Sequence, residues 1–155
     1  MTSNDAIRDE SSTEFAASSG LKWPAYLFIL LALALQVGRI LQVESQSGDL
    51  PFLSANDRSR WCTIEALASR GSYEIEHLIF EDGKGGRRTD WYSIDLVRHR
   101  GTDGKMHYYS SKPTLLPTLY AGIYWLLNGT TGMGLLEDPF PIARFMLLLV
   151  NLLPL

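Results

Sequence analysis

Hydrophobic residues fall in three blocks along this chain, and polar residues fill the intervals between them. Across residues 23–43 the strongly polar side chains are Gln36, Arg39 and Gln42, all toward one end. An apolar run of about 20 residues can cross a hydrocarbon core about 30 Å thick, so a transmembrane helix is predicted over 23–43. Lys22 and Trp23 suit one interface, and Arg39 can extend its charged head toward the other. A cleaved signal peptide is the competing reading, but the tail ahead of the run is long and acidic and no small-x-small cleavage site follows. The second block, 115–127, reaches the length of a span only with Pro113 and Thr114 at one end and residues past Asn128 at the other, giving a helix over 113–130. Pro117 falls in its first turn, where a missing N–H costs little. Tyr120, Tyr124 and Trp125 suit a helix that meets protein and interface rather than lipid alone. After a short connection over 131–140, the third block, 141–155, runs to Leu155 without a polar flank. It is read as the start of a third span, and the chain as the N-terminal part of a longer protein.

Between the first two blocks lies a polar segment, 44–112, whose best-defined element is a helix over 55–70. Asn56 can cap it, Asp57 then falls in the first turn, and Gly71 ends it. Trp61, Ile64, Leu67 and Ala68 recur at helical spacing on one face, which predicts an amphipathic helix lying along the membrane interface or against the spans. Two short pieces, 72–75 and 91–97, have extended character, and the Gly- and Arg-rich stretch 82–88 divides them. That stretch offers Gly83, Gly85 and Gly86 beside Lys84, Arg87 and Arg88, a composition suited to phosphate, yet it has neither Walker spacing nor a strand-to-helix context. A hairpin is predicted over 96–109, with Gly101-Thr102-Asp103-Gly104 as its turn. It places His99 and His107 on facing arms. With Asp95 they form a conceivable metal set, but their spacing matches no ligand signature, so no metal is assigned.

Composition adds little until it is divided by region. The mean hydropathy of -0.01 averages apolar spans with a charged segment, and the net charge of -3 selects no partner. The tail, 1–22, is rich in Ser, Thr, Asp and Glu and is predicted to be disordered. Segment 44–112 is long enough to escape the positive-inside rule, so charge does not choose an orientation. Cys62 is the single cysteine, which excludes an internal disulfide and is read as a packing residue. Asn128-Gly129-Thr130 matches a glycosylation sequon, but at the end of a membrane helix it is treated as coincidence.

The chemistry is expected where the polar segment meets the two spans. An acid just after the first span and a lysine just before the second return to the same bilayer surface, where a lipid-phosphate substrate presents its head group. Asp57-Arg58-Ser59-Arg60-Trp61-Cys62-Thr63-Ile64 resembles the Asp-Glu-x-Arg-Tyr-x-x-Ile stretch that follows the first span of family 39 glycosyltransferases, the group similar to protein O-mannosyltransferases and lipid A aminoarabinose transferases. Lys112-Pro113-Thr114-Leu115 resembles the Lys-Pro-Pro-Leu leading into their second helix, and Pro141-Ile142-Ala143-Arg144 the start of their third. Arg58 stands where the family often has Glu, and Thr114 replaces the second proline.

The resemblance implies a mainly α, multi-pass membrane protein with two spans and the start of a third. Its extramembrane loop is mixed α/β and lies at the outer face of the plasma membrane. It also implies a C-type glycosyltransferase that uses a polyprenyl-phosphate-linked sugar donor, has the bilayer as its other partner and binds no nucleic acid. Asp57 matches the catalytic aspartate, Lys112 the lysine that meets the departing lipid phosphate, and Arg60 either pairs with Asp57 or meets phosphate. A divalent metal is compatible but unsupported. A fragment of this kind is not expected to turn over alone. The plainer readings stay open: Asp57 as an acid stabilising a first helical turn, Lys112 as an interfacial anchor, Trp61 as packing, and the chain as a non-catalytic membrane scaffold or the product of a truncated gene.

Overall fold

The computed structural model describes residues 22–83 and 85–152. The tail expected to be disordered lies outside these residues except for Lys22, as do Lys84 and residues 153–155.

Helix α1, Lys22–Gln42, matches the span expected over 23–43. Its 21 residues rise about 31 Å, enough for a hydrocarbon core. It is the helix long and apolar enough to cross a membrane among the described residues. Its large apolar side chains, including Phe28 and Leu30, are exposed.

From Ile40 onward the chain forms a second unit, in which α2 (Ala55–Arg70), α3 (the single turn Glu76–Ile79), β1 (Leu96–Arg100), β2 (Met106–Ser110), α4 (Leu115–Thr131) and α5 (Pro139–Leu152) follow in order. Helix α2 covers the residues expected, 55–70, but Ser54 rather than Asn56 is its cap. The Ser54 hydroxyl accepts from the Asp57 N–H at 3.2 Å and donates to Asp57 Oδ2 at 2.7 Å, a reciprocal arrangement that uses an otherwise orphaned donor of the first turn. Gly71, at φ 63°, ends the helix in the left-handed conformation.

The expectation of a one-sided amphipathic α2 is corrected. Trp61, Cys62, Thr63, Ile64, Glu65 and Ala66 are consecutive and all buried. Two of the polar positions find partners: the Ser59 hydroxyl donates to the Asp95 carbonyl at 2.8 Å, and the Thr63 hydroxyl to the Ser59 carbonyl at 3.1 Å. Phe52 stacks on Trp61 with centroids 5.2 Å apart and meets Trp91 at 5.3 Å, while Tyr120 of α4 closes on Trp61 edge-on at 6.3 Å. This aromatic cluster joins the polar segment to α4, and Ile142, Ala143 and Met146 of α5 continue the same core.

The hairpin forms, with Leu96 opposite Ser110, His99 opposite His107 and Arg100 opposite Met106. Its turn rests on Gly104 at φ 80°, where a side chain would be strained. The extended character expected elsewhere is mostly absent. Residues 72–75 form no strand and lead into α3, and only Leu96 and Val97 of the 91–97 piece are in a strand. Among the described residues of the Gly- and Arg-rich stretch, the bridge Phe80↔Arg88 closes a loop.

Helix α4 buries Pro117, Ala121 and Tyr124 and leaves Leu115, Leu119, Trp125 and Leu126 exposed. Tyr124 accepts the Leu135 N–H at 2.8 Å, which pins the turn toward α5. With 17 residues, α4 rises only about 26 Å, less than a full hydrocarbon core, and the 14 described residues of α5 rise about 21 Å.

Candidate functional site

The N-terminal parts of α2 and α4, with Leu147 of α5, line a small groove of about 110 Å³, formed by Asp57, Arg60, Trp61, Ile64, Leu116, Pro117, Tyr120 and Leu147. The spacing of Asp57, Arg60, Trp61 and Ile64 places them along one side of α2. Asp57 and Arg60 supply the charge, and the other walls are apolar or aromatic. Ser54 holds one Asp57 oxygen, and Arg60 Nη1 lies 3.9 Å from the other. Both side chains are about 40% exposed (40% and 41%), so this pair is a weak one that an incoming group can replace. The arrangement offers a proton acceptor and a guanidinium side by side in a groove otherwise lined by apolar and aromatic side chains.

Lys112 does not line the groove. Its ammonium lies 3.0 Å from Asp95 Oδ2, and the Ser111 hydroxyl donates to the other Asp95 oxygen. Burial alone would raise the Asp95 pKa. The hydrogen bonds from Ser111 and Lys112, with the positive fields of Lys112 and Arg60, more than offset it and hold the carboxyl below its ordinary range. Asp95 therefore links Lys112 to the start of α2. Hydroxyls fix the seam: Ser93 donates to the Ala55 carbonyl at 2.6 Å, and the Ser59 and Ser110 hydroxyls are hydrogen-bonded at 2.6 Å. Of the residues expected to act, Asp57 and Arg60 are brought together directly, whereas Lys112 is paired with Asp95, on which Arg60 acts only through its field. The hairpin register carries the missing signal, because Leu96 opposite Ser110 brings Asp95 beside Ser111.

Comparison of the chain with protein-family models, with curated proteins and with solved structures finds no match.

The metal set conceived from Asp95, His99 and His107 does not assemble. Asp95 is held by Lys112, His99 is exposed with Nδ1 on the Arg100 carbonyl at 3.0 Å, and His107 faces Glu74, Glu76 and Asp103. The arginines of the Gly-rich stretch have local partners. Arg87 lies 3.4 Å from Glu81, Arg88 packs over the Tyr92 ring at 4.0 Å, and the Gly86 N–H is taken by Asp82 at 3.1 Å. Cys62 is fully buried, and desolvation pushes its thiol up to about 12, so it packs and carries no nucleophilic chemistry.

Sequence reasoning missed Glu65. It is 6% exposed and, with Ser69, Tyr124 and Asn128, it lines a second cavity of about 90 Å³. Burial raises its pKa, with the Tyr124 and Ser69 hydroxyls acting in the opposite direction. An acid among small polar residues in the middle of α2 looks solvated in sequence, and only the packing of α4 reveals it as enclosed.

Proposed function

We propose that the chain carries the acceptor-activating and phosphate-binding elements of a membrane glycosyltransferase of the family 39 type, which takes a sugar from a polyprenyl-phosphate donor. The observation that carries this reading is the groove, in which the carboxylate of Asp57 and the guanidinium of Arg60 stand together among lining that is otherwise apolar and aromatic. A lipid phosphate has the same division between a charged head and an apolar chain. The exposed leucines of α4 support placing α4 and the start of α5 in the bilayer as the second and third spans, with segment 44–112 at the outer face.

In the reaction, Asp57 accepts the proton of the acceptor hydroxyl as its oxygen attacks the anomeric carbon. The bond from that carbon to the phosphate oxygen breaks, the glycosidic bond forms, and the polyprenyl phosphate departs with the electron pair. Arg60, and Lys112 once it exchanges Asp95 for the phosphate, stabilise the charge that develops on the leaving group.

The test is a transfer assay on membranes that express the complete reading frame, supplied with a panel of radiolabelled polyprenyl-phosphate sugars. Asp57→Asn should lower transfer by about 100-fold or more, the usual contribution of a positioned general base. Transfer that proceeds unchanged would assign Asp57 to helix capping alone. No transfer by the wild-type membranes with any donor would leave the scaffold reading in its place.

A further inference from the structure

A second constellation lies on the other side of the hairpin and is independent of the glycosyltransferase reading. His107 Nδ1, a carboxylate oxygen of Glu74 and one of Glu76 all lie within 4.8 Å of one another. His107 Nδ1 is 3.6 Å from Glu74 Oε2 and in close contact with Glu76 Oε1. Donors around a tetrahedral zinc ion, at bond lengths near 2.1 Å, stand about 3.4 Å apart, so small side-chain rotations bring these atoms to coordinating distance.

What separates this group from an ordinary ion pair is that the remaining polar atom of each side chain is already held elsewhere. The far ring nitrogen, His107 Nε2, meets Asp103 Oδ1 at 3.0 Å. This is the carboxylate-to-histidine contact that commonly orients metal-bound imidazoles and leaves the opposite nitrogen free to coordinate. Glu76 Oε2 accepts the Tyr108 N–H at 3.2 Å, and Glu74 Oε1 accepts the Tyr109 hydroxyl at 3.4 Å. Each ligand thus presents one atom inward and has the other fixed. The ligands come from two pieces of chain, β2 and the entry to α3, which the Ile75 N–H to Tyr108 carbonyl bond at 3.0 Å already joins. His107 is 15% exposed and Glu74 35%, so an ion can reach the group from solvent.

We propose that His107, Glu74 and Glu76 form a binding site for a divalent transition-metal ion of the Zn²⁺ class, with Asp103 orienting the imidazole. One imidazole and two carboxylates suit borderline ions better than Mg²⁺ or Ca²⁺, which favour oxygen-only shells. The bound ion would fasten the α3 entry to the hairpin.

The test uses the whole chain in detergent, purified through a tag without histidine, stripped with chelator and titrated calorimetrically with Zn²⁺. One ion per chain is expected. His107→Ala and Glu76→Gln should each lower the affinity by at least about 100-fold, Asp103→Asn by about 10–100-fold, and His99→Ala should leave it unchanged. Circular dichroism of each variant checks its fold. Zinc-edge X-ray absorption of the wild type reads the ligands directly, so the result stands even if His107→Ala fails to fold. One nitrogen with an otherwise oxygen shell supports the site. Binding that His99→Ala abolishes, a shell richer in histidine, or no stoichiometric Zn²⁺ binding would overturn it.

Discussion

Asp57 has a structural role that must be separated from a chemical one. As the third residue of α2 it shares a reciprocal pair of hydrogen bonds with Ser54, and that pair is absent if either side chain is removed. Ser54→Ala should cost about 1 kcal/mol of stability, read by thermal unfolding in detergent, while leaving the Asp57 carboxylate in place for transfer. Asp57→Asn keeps a polar side chain at this position and removes the base, so its loss should fall on transfer rather than on melting. Glu65 yields a prediction of opposite character. Because burial raises its folded pKa, the native state keeps a proton that the unfolded chain releases, and stability declines as pH rises above 4.5, the ordinary value for this group. Glu65→Gln should therefore melt higher than wild type at pH 8 and about equally at pH 4.5. The sequence made the pairing of Asp57 with Arg60 legible, since they are one helical turn apart. It hid Asp95 and Glu65 because their partners, Lys112 and Tyr124, come from distant parts of the chain.

At the scale of elements, the hairpin and the closing of α2 decide the geometry of the polar segment. His107 joins β2 to α3, and its pKa is raised to about 9, by the hydrogen bond to Glu76 first and that to Asp103 second. A histidine whose folded pKa exceeds 6.5, its ordinary value, stabilises fully below 6.5 and loses that contribution as pH rises through about 9. In chelator, amide-exchange protection of β2 should accordingly fall across that window, and His107→Gln should abolish the change. The aromatic cluster gives the larger effect. Trp61→Ala removes a side chain stacked on Phe52 and closed by Tyr120, and it should cost about 3–5 kcal/mol in thermal unfolding. The boundaries of α2 and the hairpin turn were readable from Gly71 and from Asp103-Gly104, whose conformational demands are local. The all-round burial of α2 was not. Periodicity sees Ser59, Thr63 and Glu65 as a polar face, whereas the two hydroxyls are satisfied by neighbouring chain and Glu65 is enclosed with its Oε2 unpaired among the described residues.

For the whole molecule, hydropathy located α1 because the stretch from Trp23 to Leu35 carries no strongly polar residue. For α4, length falls short of a span, and in α4 and α5 alike the same apolar side chains serve either lipid or protein contact. The span assigned to α1 is directly testable: Leu31→Arg, at its centre, should cost about 2.5–3.5 kcal/mol of insertion, read as a loss of carbonate-resistant membrane association. The central claim is that the groove between α2 and α4 receives a lipid phosphate. Its most direct test is photo-crosslinking of the whole chain in nanodiscs with a diazirine-bearing polyprenyl phosphate, followed by mapping of the labelled residues. Labelling is expected around Trp61, Ile64, Leu116 and Tyr120, reduced by Arg60→Ala and absent with the corresponding polyprenol. Labelling concentrated on α1, and indifferent both to Arg60→Ala and to loss of the phosphate, would contradict the claim.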